Sequence, residues 1–116
     1  MDSILDSIKK MLGIEPDYEH FDSQITMNIN TVFLTLNQLG VGPTTGFYIE
    51  DKTSKWEDFI VDPILQHAIK SYVYLRVKMI FDPAETSYVL TSMKNQIAEL
   101  EWRFREQETI DEPEEV

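Results

Sequence analysis

The chain predicts an all-α fold, a small bundle of four main helices with one irregular glycine-rich loop in which a short strand or hairpin is allowed. Three observations predict it. Residues 64–107 read as two long helices that meet at Phe81-Asp82-Pro83. Residues 23–39 carry an apolar stripe with a period near 3.6. Three of the four glycines fall between Gly40 and Gly46, which gathers the irregular backbone into one place.

The first helix is expected over residues 3–12, because Ile4, Leu5, Ile8, Met11 and Leu12 share one helical face. Ser3 with Asp6 resembles a capping box, and Gly13 stands where a left-handed residue ends a helix. Residues 14–21 (IEPDYEHF) form a connector, since the residue before Pro16 is disfavoured in a helix. The second helix is expected over residues 23–39, capped by Asp22 or Ser23 and ended by Gly40. Its stripe is Ile25, Ile29, Val32, Phe33, Leu36 and Leu39, with Asn28, Asn30, Thr35 and Asn37 on other faces.

Residues 41–55 make the main loop, where Phe47-Tyr48-Ile49 has strand propensity and Glu50-Asp51-Lys52 reads as a turn. One helical turn over residues 56–60 would pack Trp56 and Phe59 on the bundle. Asp62-Pro63 then starts the third helix, with Asp as cap and Pro at the first helical position. It runs to Phe81 and is apolar nearly all round, which predicts a central, fully buried helix. The fourth helix starts at Asp82-Pro83 or at Thr86-Ser87 and runs to about Gln107, with Val89, Met93, Ile97, Leu100 and Phe104 as its stripe. Residues 1–107 therefore form one helical domain, and residues 108–116 (ETIDEPEEV) an acidic tail expected to be disordered.

Composition narrows the function. The chain has 116 residues, no cysteine and a net charge of −11. Disulfides, thiolate metal sites and a cysteine nucleophile are excluded. No run is long enough to span a bilayer and the start lacks a basic leader, so a soluble protein made in the cytoplasm is expected, with no membrane partner. The charge is uneven. Residues 1–63 hold four basic against eleven acidic side chains, and residues 64–107 hold six against five. The tail adds five acidic side chains and no basic one. Neutralising nucleic-acid phosphates needs a basic surface, so direct nucleic-acid binding is disfavoured.

No enzyme and no cofactor are expected. His20 and His67 belong to no metal-ligand array, whereas zinc needs three or four convergent ligands. Glu99 and Glu101 are two apart on a helix and do not share a face. The glycines at 40, 42 and 46 lack the Gly-Lys-Ser/Thr ending of a phosphate loop. The sharpest candidate site is Trp102, Arg103, Phe104 and Arg105, because aromatic and Arg side chains are the chemistry of interface hot spots. Trp102 lies off the stripe and would otherwise stand in water. The bland reading is that Phe104 closes the core while Arg103 and Arg105 complement the helix dipole. Phe47, Tyr48, Glu50 and Asp51 on the mobile loop are a second candidate contact.

The pattern also resembles a known family. It begins with the short amphipathic first helix and the glycine-broken loop carrying Phe47-Tyr48. The aromatic helix Lys70-Ser71-Tyr72-Val73-Tyr74-Leu75-Arg76-Val77-Lys78 and the corner Phe81-Asp82-Pro83 follow. Gln96-Ile97-Ala98-Glu99-Leu100-Glu101-Trp102-Arg103 closes it. Together these resemble the small head–tail connector (adaptor) proteins of tailed bacteriophages, also described as phage DNA-packaging proteins, over roughly residues 3–105.

The resemblance implies a structural virion subunit at the head–tail junction of a phage or prophage. It implies a ring of about twelve copies on the portal protein, closed by heterologous contacts. DNA would pass through the channel without sequence-specific binding, toward a downstream neck or tail-completion protein. The fourth helix, and Trp102, Arg103, Phe104 and Arg105 above all, would dock on the portal. Phe47, Tyr48, Glu50 and Asp51 would face the channel or the next protein down. Two other readings stay open on the residues: a helical protein-binding module, such as a regulatory or antitoxin-like dimer, and a magnesium-dependent nucleotide hydrolase.

Overall fold

The computed structural model describes residues 3–82 and 86–111, with side chains as far as Glu106. It is all-α, and no strand occurs among the described residues. The helices are α1 (Ile4–Met11), α2 (Asp22–Gln38), α3 (Trp56–Phe59), α4 (Pro63–Phe81) and α5 (Ser87–Asp111). No helix among them is long and apolar enough to cross a membrane.

Helix α1 starts where Ser3 Oγ accepts from the Asp6 N–H at 3.2 Å. Only this half of the expected capping box is made, because Asp6 Oδ1 has no partner among the described residues. The entry is fixed another way: the Ile4 N–H donates to the Ser54 carbonyl at 2.9 Å, beside an isolated antiparallel bridge between Ser3 and Lys55. α1 and α2 end alike. Ile14 N–H reaches Lys9 O and Val41 N–H reaches Leu36 O, with Gly13 and Gly40 both at φ +84°. These are the glycine endings the sequence predicts.

The start of α2 differs from expectation. Neither Asp22 nor Ser23 caps it; Phe21 holds the cap position without a side-chain bond, and Asp22 is the first helical residue. The reason is Lys9, whose ammonium is fully buried, 2.7 Å from Asp22 Oδ1 and 2.8 Å from the Pro16 carbonyl oxygen. A buried ammonium needs an opposite charge more than a helix end needs a cap.

The main loop forms no hairpin. Asn30 on α2 donates from Nδ2 to the Ile49 carbonyl at 2.9 Å and accepts from the Ile49 N–H at 2.8 Å. One side-chain amide thus occupies both ladder groups of the last residue of the expected strand. Asn37 Nδ2 donates to Pro43 O at 3.2 Å and steadies the other end of the loop.

Helix α3 is the expected turn. Trp56 and Phe59 are buried, and Trp56 Nε1 donates to Ser7 Oγ at 2.8 Å. Phe33, Phe47 and Phe59 pack edge-on or tilted on one another, Phe33 also meeting the Trp56 ring, and seal that end of the core.

Helix α4 starts as predicted, with Pro63 first and Asp62 Oδ1 accepting from the Ile64 N–H at 3.0 Å. It is the central helix, packed against α1, α2 and α5. It is not buried all round. Ile69, Tyr72, Val73, Leu75 and Val77 face the core, whereas Ile64 and Ile80 near its two ends are exposed. The short α1 and α3 do not cover that length.

Of the two starts considered for the last helix, the later one forms. Thr86 Oγ1 accepts from the Val89 N–H at 3.3 Å, and the helix begins at Ser87. Pro83, Ala84 and Glu85, the alternative start, lie outside the described residues. α5 runs to Asp111, past the expected end near Gln107, so residues 108–111 continue the helix. The rest of the tail expected to be disordered, residues 112–116, lies outside the described residues.

Candidate docking surface at the end of helix α5

Helix α5 packs principally on α4, through Met93, Ile97 and Phe104, which are buried, and Leu100, which is half-buried. Val89, the first expected member of that stripe, is exposed. The Phe104 ring stands edge-on to Tyr72, with centroids 5.4 Å apart. The Tyr72 hydroxyl donates to Glu101 Oε2 at 2.8 Å, and Arg76 Nη1 donates to the same oxygen at 3.0 Å. Burial first, and the Glu101 carboxylate second, push the Tyr72 hydroxyl well above the ordinary tyrosine range. This three-residue clasp locks the last turns of α5 onto α4.

The four candidate residues therefore divide. Phe104 is buried and anchors the helix. Trp102 is 60 % exposed, and Arg103 and Arg105 are exposed around it. Arg103 Nη2 reaches Glu99 Oε2 at 2.8 Å, one turn back. The indole is thus carried on a rigid, clasped helix and pointed away from the core.

The loop candidates divide as well. Phe47 is half-buried against Phe33 and Phe59, while Tyr48, Glu50 and Asp51 are exposed. The Thr53 hydroxyl and then the Thr53 N–H donate to Asp51 and hold its carboxyl below the usual range. Glu19, Asp22, Glu50 and Asp51 line a groove of about 410 Å³ between α2 and this loop. Among the described residues, no three His, Asp or Glu side chains converge to hold a metal ion. His20 packs edge-on against Phe21, with centroids 4.7 Å apart.

Sequence reasoning missed Glu101, Tyr72 and Arg76. A signal was there: Glu101 is four residues after Ile97 and three before Phe104, a charge on the apolar stripe.

A family model described as phage connector protein matches residues 4–110. The chain belongs to the phage connector protein family. The match spans every described helix almost to the end of α5. The family is structural, and this connector is a phage virion component that works with other head or tail proteins. No curated protein and no solved structure matches the connector significantly.

Proposed function

We propose that this connector assembles as a ring on the portal protein of the filled head and extends the DNA channel toward the tail. The observation that carries the reading is Trp102: an indole 60 % exposed on a helix whose stripe residues Met93, Ile97 and Phe104 are already buried. Arg103 and Arg105 flank it. An exposed Trp beside Arg, on a rigid support, is hot-spot chemistry waiting for a partner. In this reading Trp102, Arg103 and Arg105 contact the portal, and Phe104 seats the helix that presents them.

Charge supports the channel role. Tyr48, Glu50 and Asp51 stand exposed on the loop of an acidic chain. Carboxylates facing a passing duplex repel its phosphates, so DNA slides without sticking and without sequence-specific contacts. The loop would face that channel or the downstream neck protein. Subunits made in the host cytoplasm would join the particle at the head–tail junction.

Co-sedimentation of the full-length protein with portal-bearing heads tests the reading. Trp102→Ala should keep its circular dichroism spectrum and lose most of its sedimentation. Undiminished sedimentation of the variant would refute the docking tip. A basic bore in the assembled ring would refute the acidic channel.

A further inference from the structure

Two helix faces of this subunit carry few charges of their own in a chain whose net charge is −11. The first is α2. It has 17 residues, and its one charged side chain, Asp22, is engaged by Lys9. At the chain's overall 27 % of charged residues, a helix of that length would carry about four or five. Met27, Thr31 and Leu34 are exposed along one line of it; Met27 also borders the groove lined by Glu19, Glu50 and Asp51, whereas Thr31 and Leu34 lie beyond it. The second surface is the first half of α5. There Tyr88, 84 % exposed, borders a shallow depression lined by Thr91, Ser92, Asn95, Gln96 and Glu99, whose carboxylate is paired with Arg103 at 2.8 Å. Lys94, the one other charge on that stretch, sits aside in a groove with Arg76, Met79 and Ile80. Both helices pack on α4 and make no substantial contact with each other, so the two faces are separate surfaces.

We infer that these faces are the two halves of one contact between neighbouring copies: the Met27–Thr31–Leu34 ridge of one subunit lies in the depression beside Tyr88 of the next. Two copies of so acidic a chain repel wherever carboxylates meet, and faces poor in charge approach with the least of that repulsion. Charge depletion with Met and Tyr enrichment is also the composition of interface cores. Because the two patches differ, the contact is head-to-tail, and a head-to-tail contact of suitable rotation closes into a ring. The Met27–Leu34 ridge, roughly 10 Å long and one helix wide, covers at most a few hundred Å² per copy, below the ~800 Å² of a stable complex. Free subunits therefore associate weakly, and the contact consolidates when a template holds neighbours side by side. The inference deepens the ring reading and rests on it for the ring's purpose.

The chain has no cysteine, which makes cross-linking clean. Full-length Leu34→Cys and Ser92→Cys variants, each checked for native circular dichroism, are mixed at high concentration and treated with a short bis-maleimide. The mixture should give dimer several-fold above either variant alone, and the double variant should give a ladder of higher oligomers. Met27→Cys with Asn95→Cys is the second pair. A mixture no better than the acidic-surface control, Glu15→Cys with Glu57→Cys, overturns the contact. So does Leu34→Cys dimerising alone as efficiently as the mixture, the mark of a symmetric α2 pair. Co-sedimentation with portal-bearing heads separates the two proposals. Cross-links without sedimentation sink the portal reading and leave the contact standing; sedimentation without cross-links does the reverse.

Discussion

The hydroxyl of Tyr72 on α4 and the carboxylate of Glu101 on α5 lie 2.8 Å apart, and this bond, shared with Arg76, fixes the long last helix to the bundle. Removing it with Tyr72→Phe should lower stability by about 1 kcal/mol, since Arg76 still satisfies the carboxylate. Urea unfolding measures this.

The same pair sets an alkaline response. An unfolded tyrosine releases its proton near pH 10.0, whereas folded Tyr72 holds it to higher pH. Above that point the unfolded chain binds fewer protons than the folded one. Stability from this group is therefore complete below about pH 10 and falls as pH rises further. Between about pH 9 and about pH 11, the urea midpoint of the wild type should drop more than that of Tyr72→Phe.

Phe104 and Trp102 should separate folding from docking. Phe104→Ala opens a cavity against Tyr72 and should cost about 3–4 kcal/mol of stability. Trp102→Ala should change stability by no more than about 0.5 kcal/mol. Under the docking proposal it should weaken portal binding by about 2 kcal/mol, roughly 30-fold, in a binding isotherm.

Lys9 and Asp22 form an unequal pair. The ammonium side chain is 0 % exposed and the carboxylate side chain 29 %. Asp22→Asn leaves a buried charge without its counter-ion and should destabilise by about 3 kcal/mol. Lys9→Met leaves a carboxylate that reaches water, so about 1–2 kcal/mol is expected. Equal thermal shifts for the two variants would refute this asymmetry.

Gly42 and Gly46 both have positive φ, at 90° and 96°. A Cβ on Gly42 would overlap the Phe59 ring, whereas one on Gly46 meets nothing within 4 Å. Gly46→Ala should cost only the backbone term of about 1 kcal/mol. Gly42→Ala should cost about 3 kcal/mol, because the aromatic cluster must shift as well. Thermal melts of the two variants compare them.

The helices were legible because each is written in local terms. Asp62-Pro63, Gly13 and Gly40 act within one turn, and the apolar stripes repeat within one element. What escaped notice joins distant positions. Asn30 holds Ile49 and cancels the strand that Phe47-Tyr48-Ile49 favours locally. Lys9 claims Asp22 and removes it from capping. At the candidate site, the exposure of Trp102 followed from its being off the stripe. The burial of Phe104 followed from its being on it. The Tyr72–Glu101–Arg76 clasp depends on the register of two helices, which no single helix encodes.

The protein's two tryptophans occupy opposite environments. Trp56 is sealed in the core with its indole N–H on Ser7, and Trp102 is bathed in solvent. Intrinsic fluorescence therefore has two independent components: a blue-emitting, iodide-resistant indole that reports unfolding, and a red-emitting, quenchable one that reports occlusion of the α5 tip. Under the docking proposal, assembly and denaturation can be followed in one cuvette without attaching a dye.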